Sequence, residues 1–301
     1  MTLPHFSRPA TEVIAERYSC RAFAPSDEKT FAAFEALREF AASIGPGPLG
    51  GKPRFELLAS KEGDSSLLRG LGTYGMIKDP AAFLIAVQPE GVEIADLGWV
   101  TELAVLKATE LGLGSVWLGG TFRRGRFAKA AKLRRGERLA IVIALGREAP
   151  GAKEGALRRR IKGDTRKAWA ELFSDKASRR PIASKEGLSE LGIGPEWAAV
   201  LEALRLSPSA SNKQPWSLAR AGKGWELYLR RDPGYYSPLM RRLGMADMQL
   251  NDMGIAMSHI ALAAAEKGLA GSWKAAAGAR EPKAWPKGAA GDESLLVATF
   301  A

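Results

Sequence analysis

Three short stretches carry the residues best suited to chemistry. The first is Arg17-Tyr18-Ser19-Cys20-Arg21, which sets two guanidinium groups and a hydroxyl at the end of a helical pattern. Arginine offers bidentate, permanently charged contacts to phosphate and to polar ring edges. The same two residues also suit a helix C-terminus, where cations are favoured. The second stretch, 207–216, reads Ser-Pro-Ser-Ala-Ser-Asn-Lys-Gln-Pro-Trp. Its prolines fix their own φ and bias the preceding residues away from helix. Its hydroxyls and amides are local hydrogen bonders that suit turns. It is either a well-tied surface loop or a stiff polar wall that holds something small. The third, 112–120, reads Gly-Leu-Gly-Ser-Val-Trp-Leu-Gly-Gly. Gly119 and Gly120 allow a backbone to approach a flat ligand closely, or simply make a loop.

None of the three is a dinucleotide or P-loop fingerprint. The two histidines, His5 and His259, lie far apart. They leave no case for a transition-metal site and no histidine base for a nucleophile. His259 sits within an apolar helical pattern and reads as a core or interface residue.

The 301 residues allow one large domain or two ordinary ones, and the 46% apolar and 26% charged fractions are those of a soluble globular protein. No apolar run approaches a membrane span, and the first residues show no signal-peptide pattern, so a cytoplasmic protein is expected. The lone Cys20 excludes an internal disulfide. The net charge of +11 is dispersed, with denser patches at 123–126, 132–138 and 158–167. Aromatic residues do not interleave with those patches, and no nucleic-acid-binding signature appears, so nucleic acid is not an expected partner. A phosphate-bearing small ligand needs only two or three of these cations.

The positioning elements follow from periodicity. Helices are expected over 11–17 with Thr11 as N-cap, 28–42 capped by Ser26 or Asp27, 96–111, 124–132, 196–206 and 252–267. Strands are expected over 54–58, 81–87, 115–118, 139–145, 217–220, 225–229 and 295–300, with a loop around Tyr235 and Tyr236. The segment 174–194 reads as a linker.

Beyond the linker the pattern restarts. Asp96-Leu97-Gly98 recurs as Asp252-Met253-Gly254, and Glu110, Gly112, Leu113 and Trp117 recur as Glu266, Gly268, Leu269 and Trp273. The register has no gap: 252 − 96 and 273 − 117 both give 156. That is the signature of a duplication. The halves differ in their loops. Where the second has 207–216, the first has the Gly/Pro loop 45–51.

Taken in order, helix, R-x-S-x-R, helix, P-S-A-S-N-x-Q-P-W, strand, a long helix ending in G-L-G-S, and strand, the chain resembles the FMN-dependent nitroreductase family. It looks most like the branch in which two such halves are fused. The resemblance covers nearly the whole chain. Residues 208–216 carry it most specifically, then 17–23, then 96–120, and 165–173 also matches. It implies an α+β nitroreductase-like fold, duplicated internally into a pseudo-dimer of halves 1–176 and 177–301, with sheets flanked by helices.

In the family each FMN site lies between two subunits, so the resemblance implies one complete site between the halves and one degenerate site. Arg17, Tyr18, Ser19 and Arg21 would hold the phosphate and pyrimidine side, and Pro208, Ser209, Ala210, Ser211 and Asn212 would cover the ring from across the interface. Leu118, Gly119 and Gly120 match the stretch near the flavin N5 edge, Arg166 and Lys167 match a basic pair near the phosphate, and Thr73, Tyr74 and Gly75 match a ring-contacting loop. Tyr18 stands where a basic residue is common, and Gly119 where many relatives carry an acidic or bulkier one. The implied activity passes electrons from NAD(P)H through FMN N5 to an electron-poor acceptor such as a nitroaromatic or quinone, with no catalytic side chain. The alternative is a flavin or nucleotide binder without turnover.

Overall fold

The computed structural model describes residues 2–60, 68, 71, 73, 75, 77–120, 122–232, 246–276 and 294–301. In the first half, α1 (Ala10–Glu16) starts directly after Pro9. Thr11 is therefore inside the helix, not its cap. Its free N–H and its hydroxyl both donate to the Glu266 carboxylate at 2.8 Å. After β1 (Phe23–Ala24), α2 (Glu28–Ser43) opens with a capping box in which Asp27 and Thr30 satisfy each other's backbone donors. Its apolar face buries Phe34 and Leu37.

β2 (Arg54–Ala59) and β3 (Ala82–Pro89) lead to α3 (Ile94–Glu110), β4 (Gly114–Leu118), α4 (Arg124–Ala130) and β5 (Glu137–Glu148). A basic segment containing α5 (Ala156–Arg160) then runs to α6 (Trp169–Leu172), β6 (Phe173–Asp175) and β7 (Arg180–Pro181). The second half comprises α7 (Gly187–Glu190), α8 (Trp197–Leu206), β8 (Trp216–Ala221), β9 (Gly224–Leu229), α9 (Met248–Glu266), β10 (Trp273–Ala275) and β11 (Leu295–Phe300). Tyr235 and Tyr236 lie outside the described residues.

The two halves repeat one topology. In the first sheet β2 pairs β3, β3 pairs β5 and β5 pairs β4, all antiparallel. In the second, β8 pairs β9, β9 pairs β11 and β11 pairs β10, again all antiparallel. The long helices α3 and α9 occupy the same place in each order, between the second and third of these four strands in sequence. The one parallel pairing among these named strands joins β6 to β8, so the stretch that closes the first half enters the second sheet between β8 and the edge strand β7.

The duplicated D-x-G motif has a structural reason. A Cβ on Gly98 would stand 2.1 Å from the Asn251 carbonyl oxygen, and one on Gly254 would stand 1.8 Å from that of Ala95. Each glycine lets its helix meet the other backbone to backbone. The helices are buried almost throughout, because each is covered by its own sheet and by the other helix. The aspartates hold loops: Asp96 accepts the N–H groups of Leu49 (2.9 Å) and Gly51 (2.6 Å), and Asp252 accepts that of Ala210 (3.0 Å).

Candidate functional site

A cavity of about 570 Å³ lies between the halves. Its size and concave form are those of a cofactor site. One wall is Arg17, Tyr18, Ser19 and Arg21, which leave the end of α1 in extended backbone and bridge to β4, the Cys20 N–H donating to the Ser115 carbonyl at 2.9 Å. The floor is the end of β4 with Leu118, Gly119 and Gly120. The facing wall is Pro208, Ser209, Ala210, Ser211 and Asn212, supported by Met248, Asp252 and Ile255 of α9. The basic segment closes the rim with Leu157, Arg158, Ile161, Gly163 and Arg166.

The facing wall is a conformationally costly loop. Ser211, Asn212 and Gln214 all have left-handed φ, 48°, 55° and 49°. Single residues of that kind persist where their surroundings over-determine them. Here the surroundings are specific. The Ser209 hydroxyl accepts the Gln214 N–H at 2.8 Å, and Asp252 holds Ala210 from beneath. The Asn212 amide donates to the carbonyls of Lys162 (2.7 Å) and Thr165 (3.0 Å), while its oxygen accepts Arg166 Nη1 at 3.3 Å. Arg166 also donates to the Leu206 carbonyl at 3.3 Å. Asn212 and Arg166 therefore lash the loop to the basic rim.

The cavity is strongly cationic. Arg17, with only 7% of its surface exposed, has Nε and Nη1 buried with no hydrogen-bond partner, and Arg166 Nε is in the same state. Burial, and then the neighbouring guanidiniums of Arg17, Arg158 and Arg205, push Arg166 down to about 10. Burial and Arg158 likewise work against the charge on Arg17, although Glu102 supports it. Charged at neutral pH and short of acceptors, these groups are satisfied best by an anion. Tyr18 takes part differently from a basic residue: the cations of Lys153 and Arg158 both lie 5.1 Å from its ring centroid, so the ring collects charge at the rim. Burial lifts Asp252 well above the usual carboxylate range, against the Ala210 N–H that opposes the rise.

Most of the sequence-expected positions thus meet at one cavity. Lys167 does not line it; its N–H and its ammonium group are both spent on Gln214, at 2.9 and 3.0 Å. Thr73 is buried away from the cavity and Gly75 is exposed, while Ile77 from that stretch reaches the lining. Tyr74 lies outside the described residues. Sequence reasoning missed Leu157, Arg158, Ile161, Met248, Asp252 and Ile255. Arg158 had a signal in the basic run, and Asp252 had one in the D-x-G repeat.

The duplication places a second cavity of about 770 Å³ at the equivalent position, between the loop 44–50 and Ser272-Trp273. Residues 2–5 and Phe40 complete it, and no arginine is among its described lining residues.

Among described residues no helix is long and apolar enough to cross a membrane, and no cluster of metal-ligating side chains occurs. The chain is similar over its whole length to a protein described as a nitroreductase from Thermotoga maritima, with TM-score 0.56, 16% identity and 95% of that chain covered. About half of it, 48%, aligns with a nitroreductase family protein from Clostridium difficile (22% identity, 90% of that chain, TM-score 0.37). The same share aligns with a Desulfovibrio desulfuricans nitroreductase in complex with FMN (22% identity, 88% of that chain, TM-score 0.38). No curated protein matches the sequence. The family model described as "Putative TM nitroreductase" matches residues 10–264, and the chain belongs to that nitroreductase family.

Proposed function

We propose that this protein is an FMN-dependent oxidoreductase that takes electrons from NAD(P)H and delivers them to an electron-poor small molecule such as a nitroaromatic or quinone. The observation that carries the reading is the set of buried guanidinium nitrogens without hydrogen-bond partners, Arg17 Nε and Nη1 and Arg166 Nε, on residues lining a cavity that also holds a glycine pair. The donors fit a phosphate, and a glycine pair without side chains leaves room for a ring. Family membership and the FMN complex of the Desulfovibrio relative favour the same ligand.

In this reading Arg17, Ser19, Arg21, Arg158 and Arg166 bind the anionic end. Gly119 and Gly120 let the floor lie close to the ring, and Pro208, Ser209, Ala210, Ser211 and Asn212 cover it from the second half. The bound FMN supplies the hydride and electron chemistry. The chain's own part is to fix orientation, supply positive charge and exclude water, which is why no acid–base pair is required of it. The hydrogen bonds of Ser209, Ala210 and Asn212, which offset the strained backbone, keep that wall in place before the ligand arrives. The halves act as an internal pseudo-dimer, and an NAD(P)H-dependent role fits a cytoplasmic setting.

The test is direct. Purified protein is expected to be yellow, or to take up added FMN, and NAD(P)H is expected to bleach the bound flavin, with menadione or nitrofurazone restoring the colour. Protein that takes up no FMN would falsify the reading. Protein that binds FMN but is bleached by neither nucleotide would be a binder without this turnover.

A further inference from the structure

Behind Arg17 lies a buried pair that the proposed chemistry does not use. Glu102 of α3 and His259 of α9 both have 0% of their surface exposed. Glu102 Oε2 accepts the Trp117 indole N–H at 3.1 Å, and Oε1 lies 3.0 Å from His259 Nε2. His259 Nδ1 lies 2.9 Å from the Ala203 carbonyl oxygen. A carbonyl can only accept, so Nδ1 carries a hydrogen. A bare Nε2 would then point a lone pair at a carboxylate oxygen, so a second proton lies between Nε2 and Oε1. Written as imidazolium with carboxylate or as imidazole with carboxylic acid, the pair has no net charge. Ala203 is among the last four residues of α8, whose carbonyls lack intrahelical partners and form the negative end of the helix dipole.

Glu102 is also the carboxylate nearest to Arg17, with Oε1 3.8 Å from Nε, beyond hydrogen-bond distance. As an unneutralised anion it would cancel the charge that Arg17 brings to the cavity. We propose that His259 is a positioning residue: the proton it shares with Glu102 neutralises the carboxylate and leaves the Arg17 charge for the anionic ligand. This rests on the flavin reading above. The other charged groups acting on the cluster sit on the segment that carries Arg17, on the basic rim and on α9 itself. Arg21, Arg158 and Arg166 act on Arg17, and Asp252 acts on Glu102. The duplication offers an internal control, since the positions equivalent to Glu102 and His259 at the 156-residue spacing are Ser258 and Leu103. The proton-holding pair is found only beside the arginine wall.

The experiment is FMN titration of the full-length apo-protein, followed by flavin fluorescence, for wild type, His259→Gln, Glu102→Gln and the double variant. His259→Gln keeps an amide donor but no titratable proton, so Glu102 becomes an anion and affinity drops about tenfold or more. Glu102→Gln stays within about threefold of wild type, and the double variant returns to that range, since neither holds a carboxylate. A His259→Gln protein that binds like wild type overturns the assignment, as does a double variant as weak as His259→Gln. Wild type that takes up no FMN sinks the flavin reading instead. A second measurement needs no ligand: wild type is expected to show one downfield, exchange-protected proton resonance at the His259–Glu102 contact that disappears in Glu102→Gln. Its absence from wild type overturns the proposal even where a variant fails to fold.

Discussion

The two cavities made by the duplication are the same place built twice. In each, a loop is tied down by the aspartate of a D-x-G motif, and a tryptophan 156 residues from its mate closes the far side. What differs is the charge and the filling. The cavity at the loop 208–212 has arginines on the facing segment and a proton-holding pair behind them. The cavity at the loop 44–50 has residues 2–5 against it, and its tryptophan, Trp273, donates to the Met257 carbonyl at 2.9 Å where Trp117 donates to Glu102. The scaffold is built twice, but among the described residues only one of these two cavities is lined by arginines, the buried Arg17 included.

That contrast can be broken or sharpened in order of size. The shared scaffold gives the largest effects. Gly98→Ala and Gly254→Ala should each cost about 3 kcal/mol or more, because a Cβ meets backbone that cannot move aside. Urea unfolding is the measurement, and a clear inequality between the two would weaken the equivalence of the halves. Next comes the arginine wall. Arg17→Ala should weaken FMN binding by about a hundredfold or more, from the loss of a buried charged donor. Gly45→Trp places bulk in the second cavity, where no atom obstructs a Cβ, and should leave FMN affinity unchanged at one flavin per chain. Two flavins per chain, or a loss of affinity in Gly45→Trp, would end the asymmetric description.

A smaller effect separates the loop-holding aspartates. Burial raises Asp96 to about 6, despite the opposing N–H groups of Leu49 and Gly51. The folded state therefore binds this proton more tightly than the unfolded state, whose value is about 3.9. Stability from this group is present at low pH and is lost as pH rises through about 4 to 6. Asp96→Asn should flatten that part of the stability–pH curve, measured by chemical unfolding at several pH values. An unchanged slope would assign the dependence elsewhere. Smallest of all, Ser209→Ala removes the acceptor for the Gln214 N–H and should cost about 1 kcal/mol of stability with a few-fold loss of FMN affinity.

Much of this arrangement was legible in the sequence, for identifiable reasons. Local chemistry writes itself into residue type, so R-x-S-x-R and the polar, proline-bounded loop stood out, and the gap-free repeat exposed the duplication. Helix ends drifted by a few residues, as α9 shows by starting at Met248 and not at 252, because its N-cap Asp247 donates no periodicity to read. Thr11 was misassigned as a cap because α1 borrows its acceptor from Glu266, 255 residues away. Lys167 is the right type in the right segment, but Gln214 holds it away from the cavity. His259 reads as a core or interface residue and is fully buried, yet its partner is 157 residues earlier, and no local pattern links an α3 glutamate to an α9 histidine. Asp252 was visible as a mark of register; that it supports the wall of the site follows only from folding.

The walls contributed by 17–21 and 208–212 belong to one polypeptide, and β6, from the end of the first half, is threaded into the sheet of the second. In an assembly of two separate subunits, completing such a cavity would depend on protein concentration and would fail on dilution. Here the partner is tethered, so the encounter is intramolecular and its effective concentration is set by the chain itself. The binding stoichiometry and affinity of this site should therefore be independent of how dilute the protein becomes.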